Sequence, residues 1–218
     1  MQIYIPEYIR KGIEPGNSIQ GEYFKTEEFG LGAIRQRNFF TMHYGFAIIT
    51  EELLDACKKI FKDSGVLEVM SGTGYFARLL QDKFVNVIPT DDKSWANGTM
   101  YKPWKNEKCT ILNYRATRAI DTFHDKVKYV IMSWPPYDEP TAFEVAKKCI
   151  QYNLDLLYIG EDWGGCTAND DFFDLIDDYE CESIEDTYGF TYLRFMGIYD
   201  SPRLIHFSKG KINKEKPE

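Results

Sequence analysis

The sequence predicts an α/β domain built on a doubly wound, mostly parallel sheet. Four short apolar runs each end in turn or polar residues, as the buried strands of a parallel sheet do. They span residues 66–70, 85–90, 129–134 and 154–159. Helical spacing of apolar residues recurs between these runs. The chain then closes with two strand-like runs, at 192–199 and 203–207, joined by Asp200-Ser201-Pro202, which indicates an antiparallel hairpin.

The helices are predicted from apolar residues at a period of about 3.6. The first begins after Thr50, a predicted N-cap, and ends at Ser64-Gly65. Three more are marked by Phe76, Leu79 and Leu80, by Phe143, Ala146 and Ile150, and by the run from Phe172 to Tyr179. A weaker strand is predicted at 110–112. Strands and helices that alternate in this way imply right-handed crossovers and a sheet of five parallel strands followed by the hairpin.

The length of 218 residues allows one domain with an appendage. Residues 1–47 lack sustained periodicity and are predicted to form an irregular N-terminal arm or lid. The domain itself is expected to span residues 48–208, and residues 209–218 are expected to form a flexible basic tail.

Charge and cysteine content argue against several classes of protein. The net charge is −8, and it becomes −10 without the last ten residues, which hold four Lys and two Glu. Such a charge opposes binding to phosphate backbones and anionic membranes. The five cysteines lack any CxxC pair, so neither a disulfide framework nor a metal site is predicted. With no visible signal segment and no membrane-length apolar run, we expect a cytoplasmic protein.

A glycine turn follows the first predicted strand and precedes a helix. In doubly wound sheets, ligands bind outside the carboxyl ends of the strands, so Ser71, Gly72 and Gly74 are expected to face a ligand. The run from Gly72 to Ala77 also satisfies the GxGxxG/A pattern of dinucleotide-binding domains, with Asp91 and Asp92 as ribose partners. NAD is therefore one candidate ligand.

Glu68 favours a different ligand. It lies inside the first strand, four residues before Gly72, where a pyrophosphate group would gain nothing from a negative charge. S-adenosylmethionine carries a sulfonium and an ammonium group and no phosphate. An acidic residue at this position can organise the loop that holds the amino acid part of that molecule.

The segment from Leu67 to Gly74 resembles the glycine loop of class I S-adenosylmethionine-dependent methyltransferases. The resemblance implies a Rossmann-like seven-stranded sheet with an antiparallel C-terminal hairpin, S-adenosylmethionine as cofactor, and Asp91, or else Asp92, at the ribose hydroxyls. Met70 stands where the family has a glycine. With the neighbouring segments, the predicted cofactor contacts are Tyr44, Glu68, Met70, Ser71, Gly72, Gly74, Asp91, Asp92 and Ser133.

A second motif, Ser133-Trp134-Pro135-Pro136-Tyr137, follows the fourth strand. It resembles the Asp/Asn/Ser-Pro-Pro-Tyr motif of methyltransferases that act on base amines or glutamine side chains. Two prolines remove N–H donors and leave carbonyls free to accept hydrogen bonds from a substrate. Trp134 takes the first position of the motif and cannot accept a proton, which argues against amine methylation. A rigid turn packed by aromatic residues is the structural alternative.

A third segment, Tyr158 to Thr167, follows the fifth strand. Glu161 is a candidate general base or hydrogen-bond acceptor for the nucleophile. Gly164-Gly165 permits a tight turn that Cys166 or Thr167 can line. The alternative is a structural turn before a helix capped by Asn169.

Four segments together resemble a little-characterised family of methyltransferase-like proteins from fungi, bacteria and large viruses. These segments are His43–Thr50, Gly72–Leu80, Ser133–Tyr137 and Tyr158–Thr167. The resemblance implies that Tyr44 and Phe46 lie beside the cofactor pocket.

The sequence thus predicts an S-adenosylmethionine-dependent methyltransferase that acts on a small molecule or another polar acceptor. The acceptor side is expected to comprise Trp134, Pro135, Pro136, Tyr137 and Glu161. Three alternatives stay open: a nucleic-acid base amine methyltransferase, a protein that binds S-adenosylmethionine without transferring its methyl group, and an NAD oxidoreductase. The negative charge favours a small acceptor over nucleic acid.

Overall fold

Seven strands form one sheet in this computed structural model, which describes residue 41 and residues 44–97, 107–192 and 199–212. They are β1 (Val66–Val69), β2 (Val87–Asp91), β3 (Leu112–Asn113), β4 (Tyr129–Ser133), β5 (Asp155–Gly160), β6 (Cys181–Ser183) and β7 (Ser201–Ile205). The strand order is β3-β2-β1-β4-β5-β7-β6. Pairs among β1 to β5 are parallel, whereas β7 runs antiparallel to both β5 and β6. The predicted fold class is confirmed.

Six α-helices connect these strands in the described residues. They are α1 (Glu51–Phe61), α2 (Tyr75–Asp82), α3 (Ala116–Phe123), α4 (Thr141–Tyr152), α5 (Asp170–Ile176) and α6 (Ile184–Tyr188). Both predicted caps form, because the Thr50 side chain accepts a hydrogen bond from the N–H of Leu53 and the Asn169 side chain accepts one from the N–H of Phe172.

Two apolar layers enclose the sheet. Successive strand residues point to opposite faces, so Ile131 packs in one layer and Val130 in the other. The first layer includes the buried residues of α1 and α2, and the second includes those of α3, α4 and α5. The strand ends that carry the predicted motifs therefore sit between two layers of helices. No helix in the described ranges is long and apolar enough to cross a membrane.

The C-terminal part differs from the predicted hairpin. Ser201 and Pro202, expected in a turn, belong to β7, whose second partner is β6 rather than the predicted strand at 192–199. Residues 193–198 of that predicted strand lie outside the described residues. Strand β6 pairs only with the part of β7 from Arg203 to Ile205. Pro202, which has no N–H to donate, therefore lies in the part of β7 that has no β6 partner. Helices α3 and α6 were not predicted.

Candidate functional site

A cavity of about 480 Å³ lies at the carboxyl ends of β1, β2 and β4. The strand order reverses between β1 and β4, which is where doubly wound sheets bind ligands. Most of the predicted site residues line this cavity: Tyr44, Glu68, Met70, Ser71, Gly72, Asp91, Asp92 and the run from Ser133 to Tyr137. Gly74 and Glu161 do not. The structure thus brings the first two motifs together in one place.

The glycine loop is tied to the end of β2. The backbone N–H of Gly72 donates to the Asp91 carboxylate at 2.8 Å, and the N–H of Ser71 donates to the Thr90 carbonyl at 3.0 Å. Met70 has a φ of 54°, in the left-handed region that favours glycine. The loop therefore adopts a glycine-type conformation at a position where this chain has methionine.

Glu68 is buried, with 2% of its surface exposed. Its Oε2 atom has no hydrogen-bond partner in the described part of the chain. Burial raises the pKa of Glu68 to about 8, and the nearby charge of Asp91 adds to this rise, whereas hydrogen bonds from Ser71 and Ala77 oppose it. The side chain is therefore a buried acid with spare hydrogen-bonding capacity beside the cavity.

Asp91 and Asp92 differ in their surroundings. Asp91 is buried, and its Oδ1 accepts hydrogen bonds from the N–H of Lys93 at 2.6 Å and from the indole N–H of Trp95 at 2.9 Å. Burial raises the pKa of Asp91, although these donors act in the opposite direction. Asp92 is exposed, and its Oδ1 accepts from the N–H of Ser94. Both carboxylates reach the cavity, but only Asp91 also holds the loops together.

The end of the predicted arm forms one wall of the cavity. Tyr44 is buried, its carbonyl accepts a hydrogen bond from the Thr73 hydroxyl, and its ring lies 4.9 Å from that of Tyr75. Phe46 also lines the cavity, as predicted. Most of the arm, including His43, lies outside the described residues.

Trp134 is fixed by three contacts. Its backbone N–H donates to the Ile159 carbonyl at 2.8 Å, its indole N–H donates to Asp200 Oδ2 at 3.0 Å, and its ring stacks on Phe46 with centroids 5.5 Å apart. Its φ is 50°. Beside it, the hydroxyl of Ser133 is buried and makes no hydrogen bond to any described residue.

One of the two proline carbonyls is already engaged within the protein. The carbonyl of Pro135, predicted to be free for a substrate, accepts a hydrogen bond from the N–H of Ala168 at 3.3 Å. The N–H of Asp138 donates to the Ala168 carbonyl at 3.1 Å. The turn is therefore held by the segment that follows β5. Tyr137 projects outward from it, with 64% of its surface exposed.

Glu161 has a different position from the one predicted for a general base. It is buried, its Oε2 accepts from the N–H of Cys166 at 2.7 Å, and its Oε1 accepts from the N–H of Tyr199 at 2.9 Å. Both carboxylate oxygens are thus engaged with backbone, and the side chain is outside the cavity lining. It organises the turn at Gly164-Gly165, where the N–H of Gly165 donates to the Asp162 carbonyl.

Gly74 lies outside the cavity, at the point where the glycine loop leads into α2. It is the N-cap of α2, with a φ of 72°. A Cβ at this position would lie 2.7 Å from the Cys109 sulfur, so a larger residue has no room. A direct cofactor contact of Gly74 stays a prediction.

Sequence reasoning missed several residues that line the cavity, among them the aromatic residues Tyr75, Phe76 and Trp95. Tyr75 and Phe76 follow the glycine loop directly, and the sequence marked Phe76 only as a helix core position. Trp95 sits in a short 3-10 helix, Ser94–Asn97, just after the two aspartates. The sequence signal for Trp95 was its position, because an aromatic residue four positions beyond the end of β2 lies close to the predicted ligand site.

No known family model and no curated protein matches the chain. Solved structures do match it. A provisionally assigned O-methyltransferase from Klebsiella pneumoniae superposes with a TM-score of 0.53 at 8% identity, covering 92% of this chain and 94% of that one. The chain has the class I methyltransferase fold.

Two other methyltransferase structures superpose less closely. An O-methyltransferase family protein from Burkholderia thailandensis gives a TM-score of 0.48 at 10% identity, over 94% of this chain and 68% of that one. A SAM-dependent methyltransferase from Archaeoglobus fulgidus gives 0.46 at 13% identity, over 77% of this chain and 97% of that one. At these identities the likeness concerns the fold. Membership of the family with the Ser-Trp-Pro-Pro-Tyr motif stays a prediction.

The cavity of this methyltransferase fold suits a cationic ligand with hydroxyl groups. Glu68 offers an unpartnered buried carboxyl oxygen, and Ser133 an unpartnered buried hydroxyl among the described residues. Asp91 and Asp92 offer carboxylates at the end of β2. Within the described ranges, no three His, Cys, Asp or Glu side chains come together as metal ligands would.

Proposed function

We propose that this protein is an S-adenosylmethionine-dependent methyltransferase that acts on a small molecule or another polar acceptor. One observation carries the proposal. Two buried polar atoms, Glu68 Oε2 and Ser133 Oγ, have no hydrogen-bond partner in the described residues, and both side chains line the same cavity. A buried polar atom without a partner costs about 1–3 kcal/mol, so a bound ligand with donors would remove that cost.

Each part of the cavity has a role in this proposal. Glu68 would bind the ammonium or sulfonium end of the cofactor, and Asp91 or Asp92 would bind the ribose hydroxyls. Trp95 would cover part of the adenosyl group, because indole rings bind flat bases by stacking. When bound, S-adenosylmethionine supplies an electrophilic methyl group. The protein would mainly align the acceptor with that carbon and exclude water.

Calorimetry with S-adenosylmethionine and with NAD tests the cofactor. We expect S-adenosylmethionine and S-adenosylhomocysteine to bind and NAD not to bind. Glu68→Gln should weaken S-adenosylmethionine about 10-fold or more, since a hydrogen bond to a charged group contributes about 1.5–3 kcal/mol. Glu144→Gln, an exposed position on α4, is the matched control and should change nothing. Tight NAD binding without any response to S-adenosylmethionine would overturn the proposal.

Trp134 supports one alternative, in which the protein binds S-adenosylmethionine without transferring its methyl group. The indole stands where related motifs place a group that accepts a proton, and it is held there by Asp200. Incubation with cell extract and radiolabelled S-adenosylmethionine separates the two functions. Formation of S-adenosylhomocysteine above a protein-free control supports transfer, whereas unchanged S-adenosylmethionine supports the binding role.

A nucleic-acid acceptor has less support. The described residues that line the cavity include no Lys or Arg, and the net charge of the chain is −8. Binding of single-stranded and duplex DNA and RNA should be measured from low to moderate salt. We expect none. Salt-dependent binding at low salt would restore the base amine alternative.

A further inference from the structure

The acceptor side of the cavity is bounded by aromatic rings. Phe46 and Trp134 stack at a centroid distance of 5.5 Å with 23° between their planes, and both line the cavity. Tyr137 lies beside them on the same motif, with most of its ring exposed. Parallel and offset aromatic surfaces bind other flat rings. The shape of this wall therefore favours a planar acceptor.

Several polar groups on this side are already engaged. The Trp134 indole N–H is bonded to Asp200, and the Pro135 carbonyl is bonded to Ala168. The two carboxylate oxygens of Glu161 accept hydrogen bonds from the backbone N–H groups of Cys166 and Tyr199. The hydroxyl of Ser133 is buried on this side without a partner among the described residues. A serine hydroxyl can orient a nucleophile by hydrogen bonding but is a poor base at neutral pH.

The charges of the cavity also restrict the acceptor. The described lining residues include the carboxylic acids Glu68, Asp91 and Asp92, and no His, Lys or Arg. An anionic acceptor would therefore meet repulsion. The proposed function assigns these three acids to the cofactor, and the described residues of the acceptor side, Ser133 to Tyr137, include no carboxylate or imidazole that could take a proton from the acceptor. A neutral nucleophile with an available lone pair avoids the repulsion and needs no base.

We propose that the acceptor is a flat, uncharged heteroaromatic molecule that is methylated at a ring nitrogen, an inference that rests on the methyltransferase function proposed above. The lone pair of the ring nitrogen forms the new N–CH3 bond. The bond between the methyl carbon and the sulfonium sulfur breaks, and its electron pair stays on sulfur, which gives neutral S-adenosylhomocysteine. The positive charge passes to the methylated ring, and no proton is taken up or released.

This reaction leaves the charge of the cavity contents unchanged. A single positive charge moves from sulfur to the ring, so the acidic residues around the cavity face a cation before and after transfer. Aromatic faces bind cations with about 0.5–2 kcal/mol, which favours the product ring against Trp134 and Phe46. Phenol or amine acceptors would instead require the loss of a proton. The arrangement of aromatic and acidic groups thus matches transfer to a neutral ring nitrogen.

Binding is the first test. Quinoline and N-methylquinolinium are titrated into protein saturated with S-adenosylhomocysteine and into its variants. We expect both to bind, and Tyr137→Ala to weaken N-methylquinolinium about 2- to 10-fold, the loss of one aromatic contact. Trp134→Asn should weaken it further. Trp163→Ala removes a ring that is 53% exposed and outside the cavity, and should have no effect. Equal affinity in all variants would overturn the proposal.

Transfer is the second test. Radiolabelled S-adenosylmethionine is supplied with quinoline, isoquinoline and nicotinamide, and separately with 2-naphthol, 2-naphthylamine and 2-naphthalenethiol. Label in quaternary cations, identified by mass spectrometry, supports the proposal. Label only in the naphthalene compounds, or in none of the six while S-adenosylmethionine binds by calorimetry, overturns it. A protein that fails to bind S-adenosylmethionine refutes the methyltransferase function itself, which separates the two failures.

Discussion

The Asp91 carboxylate accepts a hydrogen bond from the backbone N–H of Gly72 at 2.8 Å and so joins the loop after β1 to the end of β2. Its other oxygen accepts from the N–H of Lys93 and from the indole of Trp95. One buried side chain therefore fixes three segments of the cavity wall.

Asp91→Asn is expected to destabilise the protein by about 2 kcal/mol, because an amide nitrogen would have to face one of these N–H donors. The same change should weaken S-adenosylmethionine binding. Urea unfolding and calorimetry measure the two effects. Asp92→Asn is the matched control, since Asp92 is exposed and accepts one local hydrogen bond. A loss of affinity at Asp92 without loss of stability would assign the ribose contact to Asp92 instead.

Glu68 should make the stability of the ligand-free protein depend on pH. Burial raises its pKa from 4.5 to about 8, so the folded protein retains a proton that the unfolded chain releases in this interval. The stabilisation is complete below pH 4.5 and is lost as the pH rises to about 8, by up to about 1.4 kcal/mol per pH unit. Glu68→Gln, which is neutral throughout, should gain stability relative to the wild type between pH 5 and pH 8 in urea unfolding. A difference independent of pH would contradict this.

The same proton should be released when the cofactor binds. A cation beside Glu68 favours its ionised form, so binding at pH 7 should release close to one proton. Calorimetry in two buffers with different ionisation enthalpies measures the number directly. Glu68→Gln should abolish the difference between buffers. Equal binding enthalpies in both buffers for the wild type would show that Glu68 does not change its protonation state.

At position 70, the glycine variant should be more stable than the alanine variant, which is the reverse of the usual order within a helix. The Met70 φ of 54° costs an L-residue about 1–2 kcal/mol that glycine does not incur. Met70→Gly should therefore be more stable than Met70→Ala by about 1 kcal/mol, although glycine also loses the contacts of Cβ. Lys59, in the last turn of α1, gives the comparison site, where the alanine variant should be more stable than the glycine variant. The same order at both positions would show that Met70 is not strained.

Local patterns were sufficient for most of the fold and for the place of the site. Apolar runs, caps and the glycine turn are short-range signals, and they located the strands β1, β2, β4 and β5 and the helices α1, α2, α4 and α5. β6 was missed because a three-residue strand at the sheet edge carries no periodicity. Helix α3 was missed because its apolar face is short, with Ala116, Ala119 and Ile120 set among polar residues.

Residue roles that depend on distant partners could not be read from the sequence. Glu161 looked like a free acid after a strand, but its two N–H donors come from Cys166 and from Tyr199, 38 residues away. The Pro135 carbonyl looked free until the fold placed Ala168 against it. In both cases the residue type was compatible with chemistry, and the tertiary contact decided its use.

Trp134 and Asp200 are 66 residues apart in the sequence and are joined by a hydrogen bond. A double-mutant cycle tests whether this distant contact holds the indole in place. Trp134→Phe keeps a ring that can stack on Phe46 but removes the N–H, and Asp200→Ala removes the buried acceptor. Each single change should cost about 1–3 kcal/mol, because a buried polar group loses its partner. The double variant should cost less than the sum of the two, by about 1–2 kcal/mol in urea unfolding. A coupling below about 0.3 kcal/mol would mean that the hydrogen bond does not hold the indole in place, and the wall of the acceptor site would then depend on stacking alone.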